Sequence, residues 1–301
     1  MRGFIESPLV RYFGVFLSLI ATGYVAWVFI QLKPWSLDVD WGSIAPILVI
    51  ASVIYGMLGV LVGLAWHQLV EMLEPGVLSP RDCVIIYAKS QIAKYLPTNT
   101  LHFVGRYAMA RSKGANGKML IASTGIEQLV TVCLAGAIGV PVLSNIASSL
   151  LPEIVERASW ALYGIIAIGI LVACIFFRRQ IFGVLAQVSL LPIFLAAFFL
   201  VTFYLIAGGL FQMTTAEIVT QGSAVPSYGR IVSAIALAWA VGMAAPGAGA
   251  GIGIREAVLI HAFEGLMSPE MIILAAVLFR MVTVVGDILL FIFGASFFRR
   301  N

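Results

Sequence analysis

In the stretch KYLPTNTLHFVGR (94–106) a proline is followed nine positions later by Arg106, and in AAPGAGAGIGIREA (244–257) a second proline is followed at the same distance by Arg255. An arginine presents a planar fork that can donate two parallel hydrogen bonds to a phosphate or carboxylate, a geometry lysine does not reproduce. Three further ionisable residues, Glu127, Arg280 and Asp287, lie deep in long apolar runs, with Asp287 two helical turns beyond Arg280 on the same face. A charge at such depth costs about 2.5–3.5 kcal/mol on insertion scales and is normally paired or turned toward a wet cavity. Two arrangements are open. Glu127 could pair with Arg280 and lock two halves of the chain together, or the arginines could hold a phosphate while the acids receive an amine or a proton. Asn99 and Glu256, beside the two turns, complete the candidate binding residues. These types point to recognition of an anion rather than to bond making. The sequence has no Walker-type phosphate loop and no serine nucleophile elbow, so the chain is not expected to be an enzyme or to need a cofactor. His67, His102 and His261 have no neighbours at metal-ligand spacing, and no metal is expected; His102 alone could line a polar path.

The candidate residues depend on two unusual turns. Pro97 removes an amide donor and stops a helix, and Thr98, Asn99 and Thr100 can offer side-chain partners to the freed backbone groups. After Pro246 the chain instead uses Gly247, Gly249, Gly251 and Gly253, which permit positive φ and close approach. Irregular backbone is tolerated at membrane depth only where protein buries it or water wets it. Past each turn a helix is expected to begin with its free amides and positive dipole end pointing inward, a setting suited to an anion. The plainer alternative is close packing of two short helices within a bundle.

The segments that hold these turns, 81–116 and 229–267, are hydrophobic but broken. Segments 10–32, 44–70, 118–142, 159–177, 188–213 and 270–297 reach the roughly 20 residues needed to cross a bilayer. The expected fold is therefore an all-α polytopic membrane protein with about six full transmembrane helices and two re-entrant helical hairpins. If both hairpins leave by the face they entered, most Lys and Arg, including Arg111, Lys113, Lys118, Arg178, Arg179, Arg299 and Arg300, fall on one side, while Asp38, Asp40, Glu153 and Glu156 fall on the other. The positive-inside rule then makes both termini cytoplasmic, in the cell (inner) membrane. A full crossing at 83–96 would instead bury Lys89 and Lys94 and export the basic run. Arg81, Pro97 and Arg106 recur 149 residues later as Arg230, Pro246 and Arg255. We therefore expect one membrane domain, 1–301, built from two inverted repeats, about 1–150 and 151–301, an architecture whose substrate sites lie at the repeat interface near mid-membrane.

Composition agrees. With 61% hydrophobic and 11% charged residues and a mean hydropathy of +1.04, a single water-bounded core could not bury the apolar surface. The run 10–32 is too long for a signal-peptide core and is expected to be a retained span. Cys83, Cys133 and Cys174 are far apart and are expected to be inert thiols. The formal charge of +4 says little about partners, and no nucleic acid is expected.

The KYLP turn followed by an arginine, the later PG turn running into GIREA, and an acidic residue in the span after the first hairpin together resemble the transmembrane flippase region of bacterial lysyl-phosphatidylglycerol synthases and their free-standing relatives. The resemblance covers nearly the whole chain. Thr98-Asn99 stand where family members usually have glycine, and Glu127-Gln128 where they often have Glu-Arg. The synthases also carry a soluble aminoacyl-transferase domain, which is not expected within these 301 residues. The resemblance thus implies movement of lipid between leaflets without synthesis. The expected ligand is an anionic lipid headgroup: a phospholipid, an aminoacylated phospholipid or a polyprenyl-phosphate lipid, with a lipid-modifying synthase as candidate partner. The alternatives are a membrane-embedded transferase acting on a lipid, and a non-transporting partner subunit of an envelope-lipid biosynthetic complex.

Overall fold

The computed structural model describes residues 40–95, 100–150, 189–219, 225–244 and 254–296, together with Ile30; side chains at 144–150 and 244 are not described. Apart from Ile30, the expected span 10–32, the expected span 159–177, the turn residues Pro97, Thr98, Asn99, Pro246, Gly247, Gly249 and Gly251, and both termini lie outside the described residues.

The regular structure among the described residues is helical. Helix α1 (Trp41–Leu73) starts where the Asp40 carboxylate accepts from the Gly42 amide at 2.9 Å. Helix α2 (Pro80–Gln91) starts with a reciprocal capping box between Ser79 and Asp82 and a proline whose missing amide costs nothing in the first turn. It tightens into a 3₁₀ turn, Ile92–Tyr95. Helix α3 (Leu101–Ser112) closes at Gly114, whose φ of 94° lets the Ala115 amide reach back to the Ala110 carbonyl at 3.3 Å. Then follow α4 (Gly117–Leu150), α5 (Leu191–Ala216), α6 (Tyr228–Ala244), α7 (Ile254–Phe263) and α8 (Pro269–Ser296). Helix α4 passes the expected end at 142 and continues through Pro141, which neighbouring helices can accommodate.

Helices α1, α4, α5 and α8 are long and apolar enough to cross a membrane. Large apolar side chains face outward at intervals of three and four residues: Val49, Val53 and Met57 on α1, Phe194 and Phe198 on α5, and Met281, Val285, Ile288 and Ile292 on α8. Outward stripes of this kind suit lipid as the solvent, and the protein is membrane-embedded.

Each pair of short helices folds back on itself. Lys113, just past α3, lies 2.7 Å from Asp82 in the first turn of α2, and Glu74 accepts from the Asn116 amide at 2.8 Å. In the second pair Arg230, at the start of α6, donates to the Ala262 carbonyl near the end of α7 at 3.0 Å. Lys113 and Ala262 stand 149 positions apart, the spacing that separates Arg106 from Arg255.

The helix contacts of the two halves correspond: α1–α2 with α5–α6, α2–α3 with α6–α7, and α3–α4 with α7–α8. The halves also interlock, because α2 packs on α8 and α6 packs on α4. Helices α1 and α5 run antiparallel, since Ala65 and Leu69 cluster with Ala196 and Leu200 while Tyr55 meets Phe203 further along, with ring centroids 6.1 Å apart. Helices α1 and α8 run parallel, with Gly56 against Gly286 and Gly59 against Leu290. The first of these contacts brings backbone onto backbone, the close approach that small residues allow between membrane helices.

Candidate functional site: a charged cavity between the two halves

Between the halves lies a cavity of about 130 Å³, enough for several water molecules. The first half contributes Tyr87, Gln91, Lys94, His102, Arg106 and Glu127 to its wall, and the second contributes Tyr204, Trp239, Arg255 and Asp287.

Arg106 is 2% exposed. It reaches this position because α3 folds back along α2 and packs beside α4. Its guanidinium faces the rings of Trp66 and Tyr87, each 4.9 Å away, and of Phe103 at 5.7 Å, and its Nη1 donates to Glu127 Oε2. Trp66 is fixed in turn by a hydrogen bond from Nε1 to Ser123 at 3.3 Å, one turn before Glu127 on α4. Of the two arrangements left open by the sequence, the pairing of Glu127 with Arg280 is not formed. Glu127 is satisfied within its own half by Arg106, which the fold-back of α3 carries alongside it.

Arg280 and Asp287 also part company. Seven residues keep them on one helix face but separate them by about 10 Å along α8, so they open onto different spaces. Asp287 lies on the main cavity, where it accepts from the Tyr95 hydroxyl and pairs with Lys94 at 2.8 Å. Arg280 lies 5.8 Å from the Tyr95 ring centroid and lines a smaller cavity of about 30 Å³ with Glu256 and Thr283.

Arg255 borders both cavities. Its guanidinium lies 5.4 Å from the Trp239 ring, and the chain crosses Gly242, where even a Cβ would come within 2.8 Å of Arg255 Nε. Trp239 is held by neighbouring rings, with centroids of Phe203 at 4.8 Å and Tyr204 at 5.6 Å. Arg255 Nε is buried without a hydrogen-bond partner among the described residues. The same holds for Arg106 Nε and His102 Nδ1. Among the described residues of the main cavity wall, the cations Lys94, Arg106 and Arg255 face the carboxylates Glu127 and Asp287, leaving one positive charge in excess when His102 is neutral.

Of the candidate residues read from the sequence, Arg106, Glu127, Arg255 and Asp287 share the main cavity, Glu256 and Arg280 share the smaller one, and Asn99 lies outside the described residues. The Thr100 side chain makes no cap hydrogen bond at the start of α3. Lys94, Tyr95, Trp66 and Trp239 were not among the candidates. Lys94 had one available signal, a lysine in a stretch too apolar to leave it bare. The tryptophans had none, because an aromatic ring over a guanidinium looks in sequence like any core aromatic.

In comparison with known proteins, no family model and no curated protein matches this chain.

Proposed function

We propose that the chain binds an anionic lipid headgroup in the cavity between its halves and passes it between leaflets. The observation that carries this reading is Arg255, a cation in a cavity whose described residues carry one excess positive charge, with a buried Nε that no described residue engages. Arg255 and Arg106 hold the phosphate. Arg106 is committed to Glu127 when the site is empty, and Lys94 and Asp287 close the wall beside the first turn. The resemblance of the KYLP and PG…GIREA turns to the flippase region of lysyl-phosphatidylglycerol synthases supports the same class of ligand. The antiparallel course of α1 and α5, the matching contacts of the two halves and the fold-back of both short-helix pairs support two inverted repeats with re-entrant hairpins. In that architecture the substrate site belongs at the interface of the repeats.

The ion pairs Arg106–Glu127 and Lys94–Asp287 favour a second reading, a subunit whose sealed centre holds a biosynthetic complex at the membrane. One assay separates the two. In liposomes containing the purified chain, labelled anionic phospholipids or polyprenyl phosphates should exchange between leaflets faster than in protein-free liposomes. No acceleration for any of these lipids, with or without a proton gradient or potential, would leave the subunit reading in place of transport.

A further inference from the structure

We infer that Glu127 is a proton-binding site, and that an anion taken up at Arg106 loads one proton onto it, so that headgroup binding is coupled to proton movement. This rests on the headgroup reading above and adds to it a second, smaller ligand. Arg106 and Glu127 are each 2% exposed and both line the cavity. The guanidinium is hemmed in by Trp66, Tyr87 and Phe103, so it is not free to swing out with an arriving ligand. Its Nη1 is engaged by Glu127 while its Nε has no partner. Nε is buried, so an anion arriving through the cavity can take two hydrogen bonds only from the Nη1 and Nη2 edge, and there it displaces the carboxylate.

Among the described residues Glu127 then has no other cation to turn to. The titratable or charged groups facing this part of the cavity are Tyr55 from α1, Tyr87 from α2, Lys94 from the 3₁₀ turn, His102 and Arg106 from α3, Tyr204 from α5, Arg255 from α7 and Asp287 from α8; α6 contributes Trp239 and Met243, neither of them titratable. Cys83 of α2 lies nearby, outside the cavity wall. Lys94 is held by Asp287 at 2.8 Å, and Arg255 lies over Trp239. A bare carboxylate in so buried a place is strongly disfavoured, and a proton from the cavity water removes the charge. The step balances: the Arg106⁺·Glu127⁻ pair, one monoanion and one proton give the Arg106⁺·anion⁻ pair and neutral Glu127. By linkage, the dissociation constant should rise about tenfold for each pH unit over the range in which Glu127 is ionised when empty and protonated when occupied.

The test uses the full chain in detergent micelles with dioctanoyl phosphatidylglycerol, whose phosphodiester keeps one charge across neutral pH, so that any proton linkage belongs to the protein. Calorimetric titration from about pH 6 to 8 should show the tenfold-per-unit weakening, and a weakly buffered sample should take up about one proton per lipid bound. Glu127→Gln should bind with no pH slope, and His102→Gln should keep the slope. Should Glu127→Gln fail to fold, the slope and proton count of the unaltered chain still decide. Binding without slope or proton uptake would overturn the coupling and leave the headgroup reading standing. A slope that survives in Glu127→Gln, or that disappears in His102→Gln or Asp287→Asn, would move the proton elsewhere and equally overturn it. Absence of binding at every pH would remove both readings.

Discussion

Arg106 donates to Glu127 across the contact between α3 and α4, and both side chains are almost wholly shut away from the surface. Breaking a buried pair by removing one partner typically costs about 3–5 kcal/mol, because the survivor is left charged without compensation. Arg106→Gln and Glu127→Gln should each lower stability on this scale in an unfolding titration in mixed micelles. The double substitution should cost clearly less than the sum, since it strands neither charge. Arg280→Gln should show no such coupling with Glu127→Gln.

Arg255 should behave differently, because among the described residues no ion pair holds it. Arg255→Lys keeps the charge but loses the planar fork and much of the stacking on Trp239. Leaflet exchange of a labelled anionic lipid should therefore fall by roughly tenfold or more, the weight of about 1.4 kcal/mol of lost headgroup interaction. The unfolding midpoint should shift little. Unchanged exchange in Arg255→Lys would show that only the charge matters at this position.

The two fold-backs make a prediction about sides of the membrane. The Lys113–Asp82 clasp lies past the end of α1, and the Arg230–Ala262 clasp lies past the end of α5. Because α1 and α5 run antiparallel, the clasps belong on opposite faces. Cysteines introduced singly at Lys113 and at Glu264, in a chain whose own three cysteines are replaced, should be labelled by an impermeant reagent from opposite sides of sealed vesicles, Lys113 from the cytoplasmic side. Labelling of both from one side would rule out the inverted arrangement.

How much of this was legible in the sequence follows from what each signal encodes. The long helices are read from uninterrupted apolar length, so 44–70 and 270–297 fall within a few residues of α1 and α8. The short pairs are read from the interruptions that proline and glycine make in an apolar run. Depth, too, is a property of position along a run, which is why Arg106, Glu127, Arg255 and Asp287 could be singled out together. Pairing is not. Glu127 and Arg280 sit at similar depths in corresponding helices, but which cation meets Glu127 is decided by the route of α3, and that route is set by tertiary contacts such as Lys113 with Asp82. Lys94 and Tyr95 escape for a related reason: their approach to Asp287 needs the 3₁₀ turn after α2 and the packing of α2 on α8, neither of which leaves a periodic signal.

The crossing of α1 and α8 carries Asp287 to the cavity, and its tolerance for added bulk should be very low. A Cβ on Gly286 would lie 2.7 Å from Tyr55 Cδ1, 2.8 Å from the Ser52 carbonyl and 2.9 Å from the Gly56 amide nitrogen. Two of those three neighbours are backbone atoms, which cannot turn aside as a side chain can, so Gly286→Ala must push the helices apart. Overpacking of this kind usually costs about 1–3 kcal/mol. Because Asp287 is the next residue, the displacement should also loosen its contacts with Lys94 and Tyr95. Gly125→Ala is the matched control. Nothing lies within 4 Å of a Cβ there, and replacing glycine by alanine inside a helix is favourable by up to about 1 kcal/mol. In parallel unfolding titrations Gly286→Ala should therefore be destabilised and Gly125→Ala unchanged or slightly stabilised. Equal behaviour of the two would mean that α1 and α8 do not meet at this glycine.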